Sequence, residues 1–267
     1  MLDELAVRLG AIPGVSGVML GGSRARGEHT AQSDYDLGLY YRAPLDTAGL
    51  RALAREVAGS AVEVREPGGW GPWVDGGAWL SIGGASVDWI YRELKRVRLA
   101  WHDAQRGTFG FHAQVGHPFG FPDFGYPAEV ALGVVLYDPT GKLAELKRAA
   151  STYPPALAEA LVDRLWEADF LLSGMRKSLS RADPVWCAGC LFRIVGLCVH
   201  ALHARAGRWL INEKAALASA QRLSITPAGF LQEAQRICGR IGVTSGELAG
   251  TMDAAEQLIA TTRGVVC

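Results

Sequence analysis

The stretch Val18-Met19-Leu20-Gly21-Gly22-Ser23-Arg24-Ala25-Arg26-Gly27, followed after a polar gap by Ser33-Asp34-Tyr35-Asp36-Leu37-Gly38-Leu39-Tyr40, constrains this chain more than any other. An apolar run stops at a Gly-Gly-Ser turn, and a second apolar run opens with two aspartates two positions apart. Strand period is two, so Asp34 and Asp36 share a face while Tyr35 points away. Carboxylates at that spacing repel each other unless a divalent cation lies between them. The Gly-Gly-Ser turn is the complementary half. Glycine lets backbone approach a ligand closely, and N–H groups opening a helix, with the Ser23 hydroxyl, make a nest for an anion.

Phosphate on one side and metal-holding carboxylates on the other suit phosphoryl or nucleotidyl transfer. Gly21-Gly22-Ser23, Arg26-Gly27 and Ser33-Asp34-Tyr35-Asp36-Leu37 together resemble the signature of the DNA polymerase beta-like nucleotidyltransferase superfamily, G-S-x-A-R-G, a short gap, then S-D-x-D-[LIV]. A lone Gly-Gly-Ser is a common turn and a lone Asp-x-Asp a common solvated loop; the ordered composite is far more specific. The resemblance implies a mixed β-sheet nucleotidyltransferase domain with flanking helices, Mg²⁺ (one or two ions) on Asp34 and Asp36, and a nucleoside triphosphate, ATP foremost, as co-substrate. Gly21, Gly22, Ser23 and Arg26 are then the phosphate-binding candidates. Superfamily members carry a third acid on a neighbouring strand. Asp88, within Ala85-Ser86-Val87-Asp88-Trp89-Ile90-Tyr91-Arg92, matches that position as metal ligand or general base. The rival reading of Asp88 is a solvated edge-strand carboxylate, and Asp75, beside glycines, reads as a turn residue.

Composition bounds the partners. The 267 residues are 49% hydrophobic and 20% charged, with 27 basic and 27 acidic side chains, so the net charge is zero. That balance gives no electrostatic footprint for long nucleic acid and favours a small acceptor. Five cysteines, an odd number, without an apolar leader fit a reducing cytoplasm, and no uninterrupted apolar run approaches the roughly 20 residues of a membrane span.

Read in order, Met1 to Gly10 forms an amphipathic helix, Ile12 to Leu20 leads into a strand, Arg24 to Glu28 makes a short helix or turn, and Asp34 to Tyr41 is the second strand. Asp46 caps a helix through Ala58. Val62 to Glu66 reads as a strand, and Trp73 to Ile82 as a hairpin around an Asp-Gly turn at 75–77. Glu93 to Ala104 reads as a helix. Residues 107–127, with His112, His117, prolines and aromatics, read as a long lid-like loop whose histidines pack. A helix from Lys142 follows a turn at 138–141.

Beyond Tyr153-Pro154-Pro155 strand alternation stops, and helices are expected near 156–181, 184–206, 212–223, 226–241 and 246–263. The fold class is therefore α+β: a nucleotidyltransferase domain over 1–143 and an all-α bundle over 144–267. Leu191-Phe192-Arg193-Ile194-Val195 and Asn212-Glu213-Lys214-Ala215-Ala216 resemble the helical domain of aminoglycoside adenylyltransferases. That likeness implies that Arg193 and Lys214 meet the triphosphate; solvated helix charges are the plain alternative. Cys187-x-x-Cys190, without a second pair, reads as buried thiols on a helix face. The expected activity is Mg²⁺-dependent transfer of a nucleoside monophosphate to a hydroxyl of a small aminoglycoside- or lincosamide-like acceptor, conferring antibiotic resistance. Nucleotidylation of a protein or tRNA and a silent nucleotide-binding fold are the alternatives. A polycationic acceptor calls for surplus carboxylates, with Glu28, Glu63, Glu66, Asp75 and Asp163 as candidates.

Overall fold

The computed structural model describes residues 2–59 and 62–267, so the expected helix start at Met1 lies outside the described residues. The chain divides into two compact units, Met1–Asp103 with Phe109–Thr152, and Ala104–Thr108 with Tyr153–Cys267.

In chain order the first part runs α1 (Leu2–Gly10), β1 (Val15–Leu20), α2 (Gly22–Ala25), β2 (Tyr35–Tyr41), α3 (Thr47–Ala58), β3 (Gly77–Ile82), β4 (Ala85–Glu93), α4 (Leu94–Gln105), β5 (Phe111–Gln114), β6 (His117–Pro122), α5 (Gly125–Leu132), β7 (Val134–Tyr137) and α6 (Lys142–Ala150). The main sheet has the order β3-β4-β2-β1-β7, with β2 and β4 parallel and the other neighbours antiparallel. Alternation sorts its two faces. Leu37, Leu39, Val87 and Trp89 face a core shared with Leu5 and Leu9 of α1 and Leu50 and Leu53 of α3. Met19 and Tyr40 face a second core with Leu94, Val97, Phe121, Tyr126, Val130 and Leu143. Asp46 caps α3 as expected, its Oδ1 accepting from the Gly49 N–H at 2.9 Å.

Several local expectations change. The hairpin turns at Gly83-Gly84, with φ of +58° and +82°, because a tight turn between paired Ile82 and Ala85 needs two left-handed residues. Asp75 is instead buried, with its carboxylate 2.7 Å from Arg96 Nη1 and accepting from the Tyr41 hydroxyl at 3.1 Å. Val62 to Glu66 contributes a single bridge, Val64 to Ala78, where a strand was expected. Residues 107–127 are no open loop. They form the β5–β6 hairpin and the start of α5, with the His112 ring stacked on Trp73 at 3.7 Å and its Nε2 3.0 Å from Asp123 Oδ2. Gln114 reaches the segment before β3: Oε1 accepts from the Trp73 and Val74 N–H groups, and Nε2 donates to the Trp70 carbonyl. Tertiary packing of aromatics, invisible to local propensity, orders this stretch. Helix α6 also packs into the first unit through buried Leu143 and Ala150, past the boundary expected at 143.

The second unit is helical: α7 (Pro155–Asp163), α8 (Trp166–Lys177), a 3₁₀ turn at Leu179–Arg181, α9 (Pro184–Arg205), α10 (Ala216–Gln221), α11 (Phe230–Gly239) and α12 (Ser245–Val266). A mixed sheet followed by helices is the α+β architecture expected. Helix α9 packs against α7, α8, α10, α11 and α12, and starts where Asp183 Oδ1 accepts from the Trp186 N–H at 3.0 Å. By length and composition α9 could cross a membrane, but over half of that apolar window is buried inside the fold, as in a core helix. Cys187, Cys190 and Cys198 are buried free thiols; burial pushes Cys190 up to about 11 and Cys198 up to about 12.

The same helix buries two histidines. Burial, with the nearby charges of His203 and Arg193, pushes His200 down to about 3. Burial also lowers His203, whose Nδ1 lies 2.9 Å from the Val199 carbonyl. An unfolded histidine takes its proton near pH 6.5, so below that pH the unfolded chain binds more protons and stability falls towards pH 3. His200 alone should cost about 2 kcal/mol between about pH 6.5 and pH 5. Thermal melts at these two pH values should show a steeper loss for wild type than for His200→Gln; equal losses would show that His200 is not the titrating group.

Candidate active site

The site begins where β1 ends. The Gly21 N–H donates to the Asp36 carbonyl at 2.7 Å, carrying the β1–β2 pairing one residue past the strand. The chain then turns at Gly22, with φ +63°, into the short α2. A Cβ on Gly22 would lie 1.7 Å from Asp36 Oδ2, so only glycine lets this turn close on the Asp36 carboxylate. Gly21 spends its own N–H on the strand. The N–H groups of the next residues, Gly22 and Ser23, open the helix, where no carbonyl of the helix itself precedes them.

The loop from α2 to β2 is pinned by a residue the sequence reading passed over. The Arg24 guanidinium donates to the Ser33 carbonyl at 2.7 Å through Nη2 and to the Asp34 carbonyl at 3.2 Å through Nε, and it stacks 3.7 Å over the Tyr35 ring. Thr30 N–H donates to Ser33 Oγ at 2.9 Å. Arg24 sits inside the motif, one residue after Ser23; its sequence signal was the unspecified position in G-S-x-A-R-G. Arg26, the residue that reading singled out, pairs with Glu28 at 2.9 Å near the surface.

Parallel pairing of β2 with β4 puts Asp36 directly beside Asp88, both half-buried and on the face opposite Leu37 and Trp89. Asp34 lies one residue before β2 and is exposed. On the other side of β4, Trp79 of β3 is the partner of Asp88, so Trp79, Asp88 and Asp36 form one cross-strand row. Among the described residues no three His, Cys, Asp or Glu side chains are gathered into a ready metal cluster. The donor set still fits a hard divalent cation: two carboxylates in register, whose mutual repulsion a cation relieves, with a glycine turn closed against one of them.

Of the other predicted residues, Arg193 lies in the second unit, with Nε 2.7 Å from Glu167 Oε1. Burial raises the Glu167 carboxyl, but Arg193 and Arg164 outweigh it and hold the group below the usual range. Lys214 is exposed on the stretch before α10, which begins at Ala216 and not at 212, and its N–H donates to Asn212 Oδ1 at 2.9 Å. Of the carboxylates considered for a cationic acceptor, Glu28, Glu63, Glu66 and Asp75 pair with Arg26, Arg65, Arg51 and Arg96.

Residues 2–68 match the family model described as nucleotidyltransferase domain, which covers β1, the glycine turn, Asp34 and Asp36 and ends before Asp88. Among solved structures, a nucleotidyltransferase-like protein from Exiguobacterium sibiricum 255-15 is similar at 10% identity and a TM-score of 0.48, over 99% of this chain and 77% of that one. No curated protein matches this chain in sequence. The match thus supports a nucleotidyltransferase domain over residues 2–68, with the glycine turn, Asp34 and Asp36 inside it and Asp88 beyond it.

Proposed function

We propose that the chain transfers a nucleoside monophosphate from an NTP, ATP foremost, to a hydroxyl of a small-molecule acceptor of the aminoglycoside or lincosamide kind, releasing pyrophosphate. The observation that carries this reading is the in-register pair Asp36–Asp88 with the Gly22 turn closed on Asp36. Mg²⁺ held by Asp34 and Asp36 would supply charge neutralisation on the triphosphate and a more acidic acceptor hydroxyl.

The chain's own groups divide the remaining work. The N–H groups of Gly22 and Ser23 hold phosphate oxygens at the start of α2. Arg24 fixes the Ser33-Asp34 backbone and so sets where Asp34 enters the site. Asp88 takes the proton from the acceptor hydroxyl oxygen as that oxygen attacks the α-phosphorus. The resemblance assigns Arg193 and Lys214 to the leaving pyrophosphate, and in the structure the Arg193 guanidinium is paired with Glu167.

Calorimetric titration of ATP, GTP, CTP and UTP with Mg²⁺ tests the centre of this reading. One NTP should bind wild type in a magnesium-dependent way, and Asp34→Ala/Asp36→Ala should weaken it by at least about tenfold. If no NTP binds, or the double variant binds as wild type does, the reading fails.

A further inference from the structure

We propose that Trp79, stacked on Trp70, is the platform on which the acceptor sits, and that the acceptor carries its reacting hydroxyl on a ring whose flat face lies on the indole. This rests on the transfer reaction above and adds the residue and substrate feature that decide which hydroxyls are used. Trp79 is the cross-strand partner of Asp88, so its side chain leaves the same face of the sheet one strand away from the proposed base. It is 66% exposed, on an edge strand, although tryptophan is costly to leave in water. Its ring stacks on Trp70 at 4.3 Å between centroids and 17° between planes, which covers one indole face and leaves the other for a ligand.

Trp70 is held for that purpose. Its carbonyl accepts from Gln114 Nε2 at 2.8 Å, and its N–H donates to the carbonyl of buried Asp75 at 3.3 Å. Gly77 leaves it room: a Cβ there would lie 3.1 Å from Trp70 Cη2 and 1.8 Å from the Trp89 carbonyl. A fixed, flat, apolar surface in register with a carboxylate selects a ring by its face and a hydroxyl at the ring edge by reach.

The test is calorimetry on the full chain saturated with Mg²⁺ and the non-hydrolysable α,β-methylene analogue of whichever NTP binds. The probes are ring compounds (methyl glucoside, myo-inositol, an aminocyclitol antibiotic, a lincosamide) and the open-chain sorbitol and glycerol. At least one ring probe should bind and neither open-chain probe should. Trp79→Ala should weaken the best ring probe by about tenfold or more, Trp79→Phe should restore it to within about threefold, and both should keep wild-type affinity for the nucleotide analogue. If the nucleotide binds but no ring probe does, if sorbitol or glycerol binds as well as the rings, or if Trp79→Ala binds the ring normally, the platform is overturned while the transfer reading stands. A parallel loss of nucleotide affinity in Trp79→Ala also overturns it, placing the stack with the nucleotide or the fold. If no nucleotide binds, the transfer reading fails first and the platform with it.

Discussion

Asp88→Asn is expected to slow nucleotidyl transfer by roughly 10²- to 10⁴-fold, the usual worth of a positioned general base, while Mg²⁺-NTP affinity stays within a few-fold. Asparagine matches the shape of aspartate, so the cross-strand row through Trp79, residue 88 and Asp36 keeps its geometry and only the charge and proton-accepting power at position 88 are removed. Single-turnover transfer rates and calorimetric affinity, measured on the same preparation, separate the roles. A rate loss without an affinity loss marks a base; equal losses in both would move Asp88 to the metal-holding set alone.

Gly22→Ala should be nearly as severe, by at least about 100-fold in kcat/KM, through a different cause. The backbone at Gly22 has φ +63°, which costs an L-residue about 1–2 kcal/mol. The larger effect is steric: the new Cβ would overlap Asp36 Oδ2 at 1.7 Å and approach Cγ to 2.7 Å, so either the turn or the carboxylate must move by about an ångström. Gly27→Ala is the matched control. Its φ is +70°, but nothing lies within 4 Å of a Cβ there, so it should lose a few degrees of melting temperature and keep its activity. Loss of activity in both variants would mean that backbone strain, and not the closure on Asp36, is what matters.

How far the sequence carried the reading depended on how local each feature was. The glycine turn and Asp36 were legible because one turn and one strand generate them, whereas Asp34, expected to open that strand, falls one residue before it. The strand holding Asp88 was legible from Val87, Trp89 and Tyr91 alternating with Asp88 and Ile90. That Asp88 would stand beside Asp36, and Trp79 beside Asp88, depends on pairing between strands far apart in sequence, which no short window records. Asp75 looked like a turn residue because its partner, Arg96, is 21 positions away on α4. The β5–β6 hairpin looked like a loop because Trp73 and Gln114, the residues that order it, come together from segments about 40 positions apart. Arg24 and Arg26 share motif, charge and near-identical neighbours, and only the fold decides that Arg24 ties down the Asp34 approach while Arg26 meets Glu28.

The two-faced character of β4 has a consequence for how this site can drift. Sliding the strand by one position would carry Val87 and Trp89, both buried, onto the acid face and drive Asp88 into the apolar core. The oily side of the strand therefore proofreads the alignment of the charged side. Variation at Val87, Trp89 or Ala78, which never meet a substrate in this reading, is coupled to catalysis, whereas β3, at the rim of the sheet with only the Val64–Ala78 bridge on its outer side among the described residues, is free to exchange Trp79 for another surface. New acceptors are thus reachable by changing the rim, with the reacting centre held in place by a core that does not need to change.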